Sequence, residues 1–304
     1  MTRFAENFEV DGRVLNYRSD GSGAPLVFVH GSAGGAKQWK RLYEHFARTR
    51  HVFAYDLIGC GGNRPLFIDA FHGDLPEIDD RHFSFEDDAR ALSAAIDRFD
   101  QPVDVIAHSV GGIGALLAAL DRPEVIRTLT LFEPVLFTLL RDSGDSAFEP
   151  VRDIATRYRL LFERKGARAA MEAFVDFWNG AGSWERLKEP VRYSMLSGAN
   201  RLYLEWGLVL YARADVQPYD LPRLRQPVLY FTGWQTIPAV KRLTDIAVAR
   251  IPNVRAVSLL GAGHMAPFTH AAQVIPDIEE HINGNSAVAA VSDRRDGLVR
   301  WATG

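Results

Sequence analysis

Ser109 stands in the run Ala107-His108-Ser109-Val110-Gly111-Gly112, where its type and neighbours make it a candidate nucleophile. The residues Val103-Asp104-Val105-Ile106-Ala107 have strand character, and the small apolar stretch from Ile113 to Leu120 continues as a buried helix would. The serine therefore falls at the corner of a strand, a turn and a helix, where backbone strain pushes its hydroxyl out above the sheet. Small residues at 107, 111 and 112 let strand and helix approach that closely. The pattern is the nucleophile elbow G-x-S-x-G with alanine in first place, and the methyl of Ala107 asks for slightly more room in a tight turn. A serine hydroxyl is a poor nucleophile near neutral pH, so this chemistry needs a base within hydrogen-bond reach and fixed donors for the oxyanion formed on attack.

The elements that must position such groups can be read along the chain. Its 304 residues, nearly half of them apolar, suffice for one enzyme-sized unit with a large core. Phe8 to Val10 and Arg13 to Arg18 alternate polar with apolar around Asp11-Gly12, the signal of an antiparallel hairpin. Leu26-Val27-Phe28-Val29 and His51-Val52-Phe53-Ala54-Tyr55 are apolar on both sides, as strands between two helical layers are. Ser84 opens a helix to Phe99 with acids in its first turn. Further strands are expected at Ile126 to Phe132, Pro227 to Gly233 and Ala256 to Leu260. Strands alternating with helices imply a mostly parallel sheet with right-handed crossovers. From about Phe137 to Asp220 the pattern is helical and rich in large aromatics, an insertion above one sheet edge. The stretch after Gly284 is small and polar and is expected to be loosely held.

Several functions are disfavoured by what the chain lacks. A formal net charge of -3 with scattered cations gives no basic stripe for nucleic acid and no polybasic membrane segment. The glycine-rich loop Gly59-Cys60-Gly61-Gly62-Asn63 has neither the lysine of a phosphate loop nor dinucleotide spacing. The single cysteine, Cys60, makes no internal disulfide, and no Cys/His cluster has zinc spacing. No apolar leader region lies between Met1 and Val10 and no run is long enough to span a bilayer, so a cytoplasmic protein, monomer or homodimer, is expected.

His30-Gly31-x-x-Gly34-Gly35, Asp56-x-x-Gly59-x-Gly61, Ala107-x-Ser109-x-Gly111 and Gly263-His264, in this order, resemble the α/β-hydrolase family. The resemblance implies an α/β fold with a mostly parallel eight-stranded sheet flanked by helices, the nucleophile after the fifth strand and the histidine after the eighth. It assigns residues 1–136 and 221–304 to the hydrolase core and 137–220 to an all-helical cap. It implies that His264 is the base, that the backbone N–H groups of Ser32 and Val110 form the oxyanion hole, and that neither cofactor nor metal is needed. His30 is expected to brace its loop, and His108 to be the unconstrained position of the elbow. His45, His51, His72, His82, His270 and His281 are expected to be surface or packing residues.

The chain departs from the family's commonest pattern at the third catalytic position. Most relatives carry an aspartate in Gly-x-x-Asp soon after the seventh strand, where this sequence reads Gly233-Trp234-Gln235-Thr236. Thr236 holds no charge beside an imidazolium, and Asp245 lies too far along the following helix. Other relatives place the acid after the sixth strand, the position of Glu133, so the resemblance implies a triad of Ser109, His264 and Glu133.

Of the cap aromatics Tyr158, Phe162, Phe174, Phe177, Trp178, Trp184, Tyr193, Tyr203, Trp206 and Tyr211, most should pack the cap and the rest should line an apolar tunnel over Ser109. Asn179-Gly180-Ala181-Gly182-Ser183 is expected to break the cap as a hinge. The first functional expectation is a serine hydrolase of carboxylic esters of apolar or aromatic small molecules. The second is a carbon–carbon hydrolase of ring-cleavage dienoates or β-diketones, with Arg192 or Arg201 clamping the substrate carboxylate. The third, of a different class, is a ligand-binding receptor or inactive relative.

Overall fold

The structure, a computed structural model, describes residues 6–66, 83–213, 216–217, 219–284 and 298–299. His72, His82 and most of the tail after Gly284 lie outside the described residues. The chain opens with the hairpin β1 (Glu6–Val10) and β2 (Arg13–Asp20), in register Val10 to Arg13. Its two-residue turn puts Asp11 at φ 49° and Gly12 at φ 72°, the twist that favours this connection. Then follow β3 (Pro25–Val29), α1 (Lys40–Phe46), β4 (His51–Tyr55), α2 (Phe85–Ile96), β5 (Val103–His108), α3 (Gly111–Asp121) and β6 (Ile126–Phe132). The helices α4 (Phe137–Asp142), α5 (Glu149–Lys165), α6 (Ala167–Asn179), α7 (Ser183–Arg186), α8 (Glu189–Leu196) and α9 (Ala199–Tyr211) come next. The chain returns to the sheet with β7 (Val228–Gly233), α10 (Pro238–Val248), β8 (Val254–Leu259), α11 (Ala266–Thr269), α12 (Ala271–Ile282) and β9 (Leu298–Val299).

The strands form one sheet in the order β1-β2-β4-β3-β5-β6-β7-β8-β9. From β4 to β8 every pairing is parallel, while β1, β2 and β9 run antiparallel to their neighbours. The eight strands expected from the sequence are all present, and the two-residue β9 adds a short ninth beside β8. Every residue of β3, β5 and β7 is buried, because helices cover both faces of these strands. Apolar side chains accordingly form two clusters, one on each side of the sheet: Leu92, Leu116 and Leu129 belong to the first, Phe28, Trp39 and Phe231 to the second. Ser84 begins α2 by donating its N–H to Asp87 at 2.8 Å, the reciprocal half of a capping box.

Helices α5 to α9 form a cap inserted between β6 and β7. Its interior is built from ring contacts, among them Tyr158 with Phe162 and Phe174, and Phe162 with Tyr203. The Asn179 to Ser183 break joins α6 to α7, and the Asp176 carboxylate accepts the N–H groups of Gly182 at 2.8 Å and Trp184 at 2.9 Å. Those bonds to the anion hold Asp176 below the usual carboxylate range against the opposing effect of burial. Tyr193 and Tyr211 depart from the expectation for the cap aromatics: at 78% and 62% exposed, they neither pack the cap nor line a tunnel.

Candidate active site

Ser109 follows β5 directly and precedes α3, with φ at 56°. That left-handed conformation is costly for a residue with a Cβ and persists only where the surroundings impose it. Here the Ser109 N–H donates to Phe132 O at 2.9 Å and its carbonyl accepts from Gly112 N at 3.0 Å. A Cβ at Gly111 would lie 2.3 Å from His30 O, so only glycine lets α3 start this close to the loop after β3.

His264 lies in the turn after β8 and donates or accepts through both ring nitrogens. Its Nε2 is 3.0 Å from Ser109 Oγ and its Nδ1 2.7 Å from Glu133 Oε2. Ser109, His264 and Glu133 are 5%, 5% and 2% exposed, so the relay is dry. Glu133 directly follows β6 at φ 45°, left-handed like Ser109 despite its side chain. Buried as it is, its carboxylate is compensated by donors: Gly233 N at 2.6 Å and Thr232 Oγ1 at 3.3 Å on Oε1, Thr236 Oγ1 at 2.8 Å and His264 on Oε2. Thr236, which stands where most relatives carry an acid, thus supplies a donor to the acid on the neighbouring strand.

The loop after β3 is braced from below. His30 donates Nδ1–H to Gly31 O at 2.7 Å and accepts Leu57 N–H on Nε2 at 2.8 Å. Burial drives its pKa down, which keeps it in this neutral form. The Asp56 carboxylate accepts from Ala36 N at 2.7 Å and Gly62 N at 2.8 Å, tying that loop to the glycine-rich one. Ser32 and Val110 both border the cavity beside Ser109, and among the described residues neither amide has a protein acceptor.

His108 is not the unconstrained residue the elbow pattern implies. It is buried, and its Nε2–H donates to His264 O at 2.9 Å. Burial, with His264 nearby, pushes its pKa well below the ordinary range, so it acts as a neutral strut. The rings of His108 and His264 lie 4.7 Å apart, and on the cap side the Trp178 ring stacks on His264 at 3.8 Å and 16°. The sequence carried no signal for either contact beyond the abundance of aromatics in the insertion.

Over Ser109 lies a narrow cavity of about 20 Å³. Phe85 and Val135 from the core and Phe174, Trp178 and Trp206 from the cap wall it. Glu205 borders it too, accepting from Ser32 Oγ at 2.6 Å. Neither arginine expected as a carboxylate clamp is free. Arg201 is wholly buried, bonded to Glu205 at 2.6 Å, Asp88 at 2.5 Å and Ile58 O at 2.8 Å. Arg192 pairs with Glu185 at 3.0 Å and Glu189 at 3.1 Å. Cys60, also buried, has its thiol pushed up to about 12 by burial, which leaves it no thiolate character near neutral pH.

The sequence matches the Alpha/beta hydrolase family over residues 26–277, and the chain belongs to that family. It is 26% identical over 285 residues to the dihydrolipoyllysine-residue acetyltransferase component of the acetoin cleaving system of Cupriavidus necator, covering 91% of this chain and 68% of that protein. It is 30% identical over 128 residues to the 2-hydroxy-6-oxo-2,4-heptadienoate hydrolase of Pseudomonas putida, 41% of this chain and 42% of the relative. Among solved structures, the enol-lactonase from Burkholderia xenovorans superposes with a TM-score of 0.70 at 16% identity, covering 91% of this chain and 100% of that one. At that identity the likeness is one of fold.

Proposed function

We propose that the protein is a serine hydrolase that cleaves carboxylic esters of apolar or aromatic small molecules through an acyl-enzyme. The observation that carries this reading is the hydrogen-bonded relay from Glu133 through His264 to Ser109, opening onto an apolar cavity. Ser109 Oγ attacks the ester carbonyl while its proton passes to His264 Nε2. Glu133 accepts the Nδ1–H and faces the imidazolium, fixing the ring's tautomer. The amides of Ser32 and Val110 receive the oxyanion, and the positive end of α3 adds to their effect. His264 then protonates the leaving alcohol, and water repeats the sequence to free the acid. No cofactor enters these steps.

A carbon–carbon hydrolase of dienoates would use the same serine and histidine, and one relative bears the name of such an enzyme. Dienoates carry a carboxylate, however, and both candidate arginines are engaged elsewhere. A receptor-like protein that binds without turnover is the remaining reading. Short-chain p-nitrophenyl esters separate the three: hydrolysis that falls about ten-thousandfold or more in Ser109→Ala supports the ester hydrolase. Activity on dienoates alone, or ligand binding with no turnover and no labelling of Ser109 by a phosphonate, overturns it.

A further inference from the structure

We infer that Glu205 makes the cavity over Ser109 selective for uncharged substrates and turns away those that carry a carboxylate. This deepens the ester-hydrolase reading and rests on it. Glu205 projects from α9, is 3% exposed, and is the only ionisable side chain among the described residues that line the cavity. Its Oε1 accepts from Arg201 Nε at 2.6 Å and its Oε2 from Ser32 Oγ at 2.6 Å. The same guanidinium is bonded to Asp88 through both terminal nitrogens, at 3.0 Å and 2.5 Å. Two buried carboxylates therefore share one cation, an excess of one acid over bases, and of the two it is Glu205 that borders the cavity.

Among the described residues that line the cavity, no cation offsets that charge. His30, below the same loop, is held neutral by burial. The indole N–H groups of Trp178 and Trp206, on residues that wall the cavity, have no hydrogen-bond partner among the described residues. They can satisfy a neutral carbonyl or ether oxygen, but they lack the charge needed to replace the water a carboxylate would lose. Between aromatic walls the repulsion is weakly screened, and a substrate anion within a few ångströms should be disfavoured about ten- to a hundredfold against its neutral analogue.

p-Nitrophenyl butyrate and mono-p-nitrophenyl succinate have acyl chains of equal length and differ in a terminal carboxylate. The native enzyme should show kcat/KM at least about tenfold higher for the butyrate, beyond the difference in their reactivity with hydroxide. In Glu205→Gln, Arg201 keeps Asp88 as its partner, the cluster becomes neutral, and the ratio should narrow about tenfold. An unchanged ratio overturns the role of Glu205. Should that variant not fold, the native ratio decides, since an enzyme taking the succinate as readily as the butyrate ends the proposal. Tryptophan fluorescence of Ser109→Ala protein titrated with methyl butyrate and with monomethyl succinate gives a reading without turnover. Absence of hydrolysis in the native enzyme refutes the ester reading, whereas equal binding of the two ligands, or binding of neither, refutes the selectivity.

Discussion

In the proposed relay Glu133 carries the heaviest electrostatic load, because its carboxylate is buried and accepts hydrogen bonds from Gly233, Thr232, Thr236 and His264. Glu133→Gln should therefore lower kcat about a hundred- to ten-thousandfold by losing both the charge and the tautomer it enforces. Thr236→Ala removes one of several donors and should cost about tenfold or less. Comparable losses in the two variants would contradict the division of labour. In the proposed mechanism the His264 ring becomes cationic, and the Trp178 ring stacked on it would stabilise that charge, so Trp178→Ala should reduce kcat about tenfold and Trp178→Phe should lose less. At this scale the sequence was informative about Ser109 and His264, whose neighbours have to be small or glycine for steric reasons. The donor role of Thr236 and the stack on His264 were hidden, since each depends on a second segment more than 80 residues away, joined only by the fold.

The elements that hold the site are short turns at strand ends on one side and long cap helices on the other. The β-strands were legible because burial between two layers leaves uninterrupted apolar runs such as Leu26 to Val29. The helical insertion was legible as well, but its inner face was not: Tyr158 and Trp206 are both buried aromatics on cap helices, yet one packs the cap and the other walls the cavity. Arg201 illustrates the limit best. As a cation in a pocket-bearing helix it reads as a substrate clamp, whereas Asp88 on α2, the Ile58 carbonyl after β4 and Glu205 on its own helix occupy it. Arg201→Leu leaves Asp88 and Glu205 buried without a cation and should destabilise the protein by about 3–5 kcal/mol in urea unfolding. A loss within experimental error would mean that the cluster is solvated in solution.

At the scale of the whole molecule, burial lowers the pKa of three histidines among the described residues, His30, His108 and His281, and their protonation links stability to pH. His281 on α12 is the one with a defined value: burial, with Arg255 nearby, lowers it to about 4 from an ordinary 6.5. The unfolded chain binds the proton more readily between those values, so this contribution is complete above about pH 6.5 and is lost as the pH falls toward 4. It amounts to roughly 3 kcal/mol, and His281→Gln should flatten the fall of Tm between pH 7 and pH 4 relative to the native protein. An identical fall in both proteins would show that His281 is accessible to protons when folded. The buried Arg201 anchor has one more consequence, for how a ligand gets in. Helix α9 is fastened to the main sheet domain like the hinge side of a door, and shifting it would tear charges apart in a dry place. The free edge is then α6 with its glycine turn, where Trp178 acts as the latch over His264. Backbone amides of α6 and α7 should accordingly exchange with deuterium faster than those of α9, and a chain that exchanges first along α9 would place the doorway elsewhere.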